Sequence, residues 1–259
     1  MNFRLFPIIL VMATLVACKP AFNAGSFGST DALYTAAMKE YNAKHWDNSS
    51  RAFERLTTEL SPRDPRIGTA YFYLARSQEK KGENLLAAKS FSRVYELLPQ
   101  DSLADDGLFQ SGKSYQRLWR KPVLDAEYGQ YALTQFQTLQ GLYPDSPLLP
   151  DAGAELKKLD EWFAVKDFEN GYHYLKRKAY DSAIIYFKDV IKLHPEASKT
   201  REAYVRLHEA YSAINYQEDA RDLCVEMRTK YPVDKEVREA CGPAPIPASI
   251  PAPPPAVSQ

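Results

Sequence analysis

Three residues recur at a fixed spacing along this chain, and this repeat limits the possible folds more than any other feature. A small residue is followed four positions later by an aromatic or apolar residue, and eight positions after that by a proline. The copies are Ala87, Phe91 and Pro99; Ala132, Phe136 and Pro144; Ala183, Phe187 and Pro195; and Ala220, Cys224 and Pro232, with a looser copy at Ser49, Phe53 and Pro62. Because proline cannot continue the hydrogen bonding of a helix, each copy predicts a helix that ends just before its proline.

A second amphipathic stretch precedes each copy, for example residues 70–81 before Ala87 and residues 204–214 before Ala220. The small residue lets the two helices of a hairpin approach closely, and we expect the aromatic residue to fill the space between neighbouring hairpins. These features resemble the tetratricopeptide repeat, whose stacked helix–turn–helix units form a superhelix with a concave inner face. The predicted fold is all-α, a superhelix of about five tetratricopeptide-like repeats.

Two longer steps between the repeat prolines predict departures from a regular array. The step from Pro99 to Pro144 contains an insertion at residues 118–125, which predicts a loop between the helices of the third hairpin. The following step contains residues 151–176, whose apolar side chains keep roughly helical spacing. This segment is either one long helix that joins two modules or two helices with a kink near residues 166–171.

The first residues of the chain have the features of a bacterial lipoprotein signal. Arg4 precedes an apolar stretch that is too short to span a membrane. Residues 15–18 (LVAC) then resemble the lipobox, in which the cysteine receives acyl chains such as palmitate. We expect residues 1–17 to be a signal peptide and Cys18 to anchor the protein to a bilayer, with residues 18–29 as a lipidated tether. The alternative is an ordinary signal peptide with a chance cysteine.

The remaining chain is predicted to divide into two modules and a tail. Residues 30–147 form an N-terminal module of three repeats, and residues 148–242 form a C-terminal module with the long linking helix, two repeats and a capping helix. Residues 243–259 contain seven prolines and no charge, so we expect them to be disordered. This tail is either a spacer or a proline-rich ligand for a partner or for the cell wall.

Composition and motifs argue against several functions. With 33 basic and 33 acidic residues, the chain has no net charge that would attract nucleic acid. The four histidines lie on different repeats without metal-ligand spacing, and no phosphate-binding loop or nucleophile elbow occurs. We therefore predict no enzyme activity, no cofactor and no metal. Cys224 and Cys241 either form a disulfide, as an oxidising compartment allows, or remain two separate buried thiols.

Four features together resemble the BamD family of outer-membrane β-barrel assembly lipoproteins. They are the lipobox at Cys18, the five hairpins, the longer steps that lead to the third and fourth repeat prolines, and the segment at residues 171–180 (GYHYLKRKAY). The resemblance covers about residues 15–232. It implies a scaffold at the periplasmic face of the outer membrane that works with a BamA insertase and other Bam lipoproteins to fold and insert nascent barrel proteins. The alternative is another periplasmic repeat lipoprotein, such as a pilus-secretin pilotin or a cell-envelope and division coordinator.

The resemblance also implies two binding surfaces. In the family, the N-terminal hairpins offer a groove for the C-terminal segment of a nascent outer-membrane protein, and the C-terminal hairpins contact the insertase. The groove residues in this chain would be Tyr34, Tyr41, Tyr71, Tyr73, Arg76 and Gln78. The alternative is that most of these tyrosines are ordinary repeat packing. Family members carry an arginine nine residues before the fourth proline, where this chain has Tyr186, with Lys188 and Lys192 nearby.

Overall fold

The computed structural model describes residues 22–243, so the predicted signal peptide, Cys18 and almost all of the proline-rich tail lie outside the described residues. Within residues 22–243 the regular secondary structure consists of a one-turn 3-10 helix at Ala24–Ser26 and eleven α-helices. The helices are α1 (Thr30–Asn42), α2 (Trp46–Glu59), α3 (Ile67–Lys80), α4 (Asn84–Leu97), α5 (Ala104–Leu118), α6 (Glu127–Leu142), α7 (Leu149–Lys176), α8 (Tyr180–Leu193), α9 (Thr200–Ala213), α10 (Gln217–Lys230) and α11 (Lys235–Cys241).

Consecutive helices pair into five hairpins, from α1–α2 to α9–α10, and α11 packs on the last pair. The second helices of hairpins two to five each end two residues before a repeat proline, as predicted. First helices of neighbouring hairpins also touch each other, α3 with α5 and α7 with α9. They therefore line the inner side of the stack. The prediction of an all-α superhelix of about five tetratricopeptide-like repeats is confirmed.

Four of the five hairpins turn by the same local geometry. A backbone with positive φ occurs at one residue of each turn, namely Lys44, Gly82, Lys178 and Asn215. The amide of the next residue donates to the carbonyl five positions earlier, as Ala179 does to Tyr174, which is the Schellman pattern. The third hairpin instead has the predicted long loop, at residues 119–126 between α5 and α6.

Two aromatic residues of the repeat, Phe136 and Phe187, lie inside their own hairpins. A Cβ atom added to Gly112 of α5 would lie 2.7 Å from the Phe136 ring, and one added to Gly171 of α7 would lie 2.9 Å from the Phe187 ring. The glycines of the first helices thus make room for aromatic rings of the second helices. The expectation that the aromatic residue fills the space between neighbouring hairpins is wrong for Phe136 and Phe187, because the space opposite each glycine lies within the hairpin.

The segment whose helical form the sequence left open is one uninterrupted helix, α7, of 28 residues. Its first half packs into the core of the third hairpin through Ala152 and Leu159. Its second half packs into the core of the C-terminal helices through Phe168 and Leu175. The helix is long because it contributes to two apolar cores. Neither α7 nor another helix within residues 22–243 is long and apolar enough to cross a membrane.

Trp119, in the long loop of the third hairpin, fixes the middle of α7. Its side chain is buried, and its ring centroid lies 5.4 Å from that of Trp162 and 4.8 Å from that of Phe163. Gly129 of α6 allows this position, since a Cβ atom there would lie 2.2 Å from the Trp119 ring. The inserted loop therefore contributes a packing residue at the junction between the two halves of the array.

Candidate functional site

The inner side of the first two hairpins carries a cluster of aromatic residues. The ring of Tyr41 on α1 meets the ring of Tyr73 on α3 edge to face, with centroids 4.7 Å apart. Tyr73 also stacks on Phe53, with centroids 5.7 Å apart, and Tyr34 contacts Phe53 from α1. Partial burial raises the pKa of Tyr34 and Tyr41, so both phenols stay protonated at neutral pH and can donate hydrogen bonds. Trp46 extends the cluster beyond Tyr41.

Charged residues continue this surface from α3 to α5. The carboxylate of Glu79 accepts from Arg76 at 3.1 Å and from Arg117 at 2.7 Å. Burial works against ionisation of Glu79, but the two guanidiniums outweigh it and hold the pKa of Glu79 below its usual value. Asp106 lies nearby on α5, and burial together with Asp105 raises its pKa. Arg76 and Arg117 are therefore positioned together, each with its side chain partly exposed.

Sequence reasoning missed Glu79 and Arg117. Glu79 lies one helical turn after Arg76, and that spacing is a signal that could have identified it. Arg117 comes from the next hairpin, and only the stacking of α5 on α3 brings it to Glu79. Arg76 also lies over the rings of Phe72 and Phe91, at 5.4 and 5.9 Å from their centroids.

Two of the six expected groove residues lie on another face of α3. Gln78 is buried and its side chain accepts a hydrogen bond from Ser90 of α4 at 2.8 Å. Tyr71 lies beside Arg93, also on α4. The structure thus brings Tyr34, Tyr41, Tyr73 and Arg76 together and directs Tyr71 and Gln78 toward the second helix of their own hairpin.

The residues expected to contact the insertase, Tyr186, Lys188 and Lys192, also lie on two different faces. Lys188 and Lys192 lie one turn apart on α8 and line a cleft of about 410 Å³ between α8, α9 and α10. The cleft is completed by apolar and acidic residues, Ile191, Leu207, Tyr211, Asp219, Asp222, Leu223 and Glu226. The Tyr211 hydroxyl beside Lys188 raises the pKa of that lysine, which keeps it charged.

Tyr186 is not part of this cleft. Its ring stacks on that of Tyr174 near the C-terminus of α7, with centroids 5.5 Å apart. Opposite sides of α8 therefore present Tyr186 toward α7 and the two lysines toward α9 and α10. The three residues belong to two different faces of the fourth hairpin.

Cys224 of α10 and Cys241 of α11 are joined by a disulfide. The side chain of His208 on α9 lies beside the two sulfurs, and burial lowers its pKa. The last helix is therefore covalently attached to the fifth hairpin.

These surfaces have the chemistry of polypeptide binding. Aromatic faces accept apolar side chains, and guanidiniums pair with carboxylates. Stacked helical hairpins that present such surfaces define the class of tetratricopeptide-like scaffold proteins. Among solved structures, the tetratricopeptide domain of P58(IPK) matches 82% of this chain and 54% of its own, at 14% identity and a TM-score of 0.45.

Comparison of sequences defines the family. The chain belongs to the YfiO family, described as outer membrane lipoprotein, whose model matches residues 28–224. A relative from Caulobacter vibrioides, named outer membrane protein assembly factor BamD, is 31% identical over 243 residues, which cover 88% of this chain and 78% of the relative. A protein of the same name from Neisseria gonorrhoeae is 24% identical over 237 residues, covering 85% of both chains.

Proposed function

We propose that this protein is a non-enzymatic outer-membrane protein assembly factor of the Bam complex. The single observation that carries this proposal is the family match, which spans all of the first four hairpins and reaches into the fifth. The Caulobacter vibrioides and Neisseria gonorrhoeae relatives that carry the assembly-factor name align with more than four fifths of the chain. In this function the protein holds other polypeptides and performs no bond-breaking chemistry.

The protein is anchored by lipid on Cys18 at the periplasmic face of the outer membrane. The support for the anchor is the lipobox at residues 15–18 together with the lipoprotein description of the family. Labelled palmitate supplied to cells tests it, because Cys18→Ala removes the acceptor sulfur and should abolish labelling. Labelling that persists in this variant would contradict the anchor.

The aromatic and arginine surface of the first three hairpins binds the C-terminal segment of a nascent outer-membrane protein. Tyr41 and Tyr73 offer ring faces to apolar side chains of the segment, while Arg76 and Arg117 pair with its terminal carboxylate. When no peptide is bound, the Glu79 carboxylate pairs with both arginines and keeps them in position. An extended polypeptide suits this surface because the surface continues across the neighbouring helices α1, α3 and α5.

The C-terminal hairpins bind the BamA-type insertase, with the Lys188 and Lys192 cleft as one contact. Its apolar floor and mixed-charge rim suit a protein partner. The proposed boundary between the two modules is at residues 147–148, just before α7, whose first half also packs on the third hairpin. Residues 30–147 then serve the substrate, and residues 148–242 serve the insertase and other Bam lipoproteins.

A peptide-binding experiment tests the N-terminal surface. A labelled peptide with an aromatic C-terminal residue and a free carboxylate should bind the full-length protein, and Arg117→Ala should weaken binding about tenfold, the size of a lost charge-assisted hydrogen bond. Amidation of the peptide should weaken binding similarly. Arg93→Ala is the matched control, because Arg93 is an exposed arginine on α4 paired with Glu96. Equal binding by wild type and Arg117→Ala, with no effect of amidation, would contradict this site.

Depletion in cells tests the function as a whole. Loss of the protein should lower the amounts of many unrelated outer-membrane barrels while leaving inner-membrane proteins unchanged. Co-purification from detergent extracts should recover a BamA-type protein. Normal barrel levels combined with loss of pili or chaining of cells would contradict the assembly function and favour a pilotin or a division coordinator.

A further inference from the structure

The fifth hairpin departs from the chemistry of the others at its centre. In hairpins one, two and four the repeat aromatic residue is preceded, sixteen positions earlier, by a small residue of the first helix, as Phe187 is by Gly171. In the third hairpin the same relationship, between Gly112 and Phe136, is lengthened by the inserted loop. In the fifth hairpin the two positions hold His208 and Cys224. The repeat geometry therefore brings an imidazole and a sulfur together where other hairpins pack an aromatic ring on a glycine or an alanine.

A third ligand-bearing residue reaches the same point from α11. One ligand atom each of His208, Cys224 and Cys241 lies within 4.8 Å of the others. The sequence relates these residues only in pairs, His208 to Cys224 by the repeat spacing and Cys224 to Cys241 as a possible disulfide, and the fold brings all three together from three helices. His208 is partly exposed and lines a cleft of about 720 Å³ between α9 and α11, which connects the cluster to solvent.

Contacts other than the disulfide hold Cys241 in place. The Asp234 carboxylate caps α11 by accepting from the amide of Val237, whose side chain is fully buried. Arg228 donates to the carbonyl of Cys241 at 2.6 Å. Arg201 of α9 binds Asp234 and Glu236 at 3.3 and 3.0 Å. Because Val237, Arg228 and Arg201 attach α11 to the fifth hairpin, we expect the two sulfurs to stay close when the bond between them is broken.

We propose that reduction of the Cys224–Cys241 disulfide creates a site for one Zn²⁺ ion, held by both thiolates and the His208 imidazole. A dithiol reductant passes two electrons and two protons to the disulfide and becomes a disulfide itself, leaving two thiols on the protein. Zn²⁺ then displaces the two thiol protons and accepts the lone pair of the neutral imidazole. Water from the α9–α11 cleft fills the fourth position.

The ligand set and its spacing favour zinc. Two thiolates and one imidazole are a known zinc donor set, and soft thiolate ligands disfavour magnesium and calcium. Bonds of about 2.3 Å to sulfur and about 2.0 Å to nitrogen place the two sulfurs of a tetrahedral site about 3.8 Å apart and each sulfur about 3.5 Å from the nitrogen. The cluster reaches this geometry by separating the sulfurs and moving the imidazole slightly inward. Zinc then replaces the disulfide as the link between α10 and α11. The last helix is thus attached either by the disulfide or by the metal ion. This site is independent of the proposed assembly function.

Metal titration of the full-length chain tests the site. The protein is prepared in a Cys18→Ser background, so that Cys224 and Cys241 are the only cysteines, and is compared in the oxidised form and after reduction with a phosphine. The reduced protein should bind one Zn²⁺ per chain, and Co²⁺ in its place should give a thiolate-to-metal charge-transfer band in the near ultraviolet. The oxidised protein should bind neither ion at this site. It has the same sequence as the reduced protein, so any metal that it does bind measures binding by other residues.

Two variants define the ligands. His208→Ala retains both thiols and should bind Zn²⁺ at least about tenfold more weakly, as expected for loss of a ligand. His173→Ala removes an exposed histidine of α7 and should bind like the reduced wild type. The proposal is overturned if the reduced protein binds no more Zn²⁺ than the oxidised protein, or if His208→Ala binds it as tightly as His173→Ala. Circular dichroism of each variant verifies that the helices are intact.

Discussion

The ammonium group of Lys113 lies 2.6 Å from Oε1 of Glu155, which joins α5 to the first half of α7. Glu155 is almost fully buried, and Lys158 also approaches it, at 3.0 Å. Burial opposes ionisation of Glu155, yet the hydrogen bonds from Lys113 and Lys158 outweigh it and hold the pKa of this carboxyl below its usual value. The ion pair therefore attaches α7 to the third hairpin through the carboxylate of Glu155, which is almost inaccessible to solvent.

Removing Lys113 should destabilise the protein. Lys113→Met leaves the buried Glu155 carboxylate without its nearest partner, and breaking such a pair costs about 1–3 kcal/mol here, less than for a fully buried pair because Lys113 is partly exposed. Urea unfolding measures the change. Lys158→Met is the matched control, since the 61% exposed Lys158 side chain should contribute less than about 0.5 kcal/mol. Equal effects of the two substitutions would show that Lys113 has no special role.

Two glycines of α7 should respond in opposite directions to substitution by alanine. At Gly171 the new methyl group would meet the Phe187 ring at 2.9 Å, so Gly171→Ala should destabilise the protein by about 1–3 kcal/mol through overpacking. At Gly153 the added methyl would meet nothing within 4 Å, so Gly153→Ala should be neutral or stabilise by up to about 1 kcal/mol, because alanine favours helix more than glycine does. Thermal unfolding of the two variants checks this difference, and a stable Gly171→Ala protein would contradict the tight packing of Phe187.

The sequence allowed the helical hairpins to be predicted because proline position and apolar spacing act locally. Helical phase is a finer property, and it separates Tyr73 and Arg76 from Tyr71 and Gln78 on the same helix. The family resemblance implies one groove for all four, whereas only the fold shows that Tyr73 contacts α1 while Tyr71 and Gln78 contact α4.

Contacts between hairpins could not be predicted from the sequence either, because they depend on how separate repeats stack. Glu79 and Arg117 form an ion pair because the second and third hairpins stack on each other. The spacing of the two residues in the sequence does not predict this pair. The continuity of α7 likewise depends on packing at Trp119, since the helical spacing of residues 151–176 allows a kink as readily as a straight helix.

Stability should depend on pH through His194. This buried histidine, in the loop between α8 and α9, lies 2.6 Å from Asp160 and 3.8 Å from Asp167 of α7. Burial favours the neutral ring, but the two carboxylates outweigh it and raise the pKa of His194 above 6.5. The contribution is therefore complete below about pH 6.5 and is lost as pH rises through the higher folded-state pKa.

The difference in unfolding free energy between wild type and His194→Gln measures this contribution. It should shrink as the pH is raised from about 5.5 to 9, and Asp160→Asn should reduce the same dependence by removing the nearer carboxylate. Glu169→Gln, which changes an exposed carboxylate of α7, should retain the wild-type profile. A difference between wild type and His194→Gln that grows with pH would show that the sign of this interaction is wrong.

The disulfide between Cys224 and Cys241 should stabilise the end of the array. It spans 17 residues of chain, and closing a loop of this length restricts the unfolded state by about 3 kcal/mol. Cys224→Ser/Cys241→Ser should therefore lower the unfolding free energy by about 2–3 kcal/mol, and reduction of the wild type in the presence of a chelator should lower it by a similar amount. The loss should be concentrated in α11, because Val237 and the cap at Asp234 depend on that helix remaining docked. Hydrogen exchange should show faster exchange at residues 235–241 while α3 and α4 keep their wild-type rates. The contacts of Val237, Arg201 and Arg228 still dock α11 after reduction, so faster exchange reports more frequent opening of this helix, and unchanged exchange would contradict a stabilising role of the covalent bond.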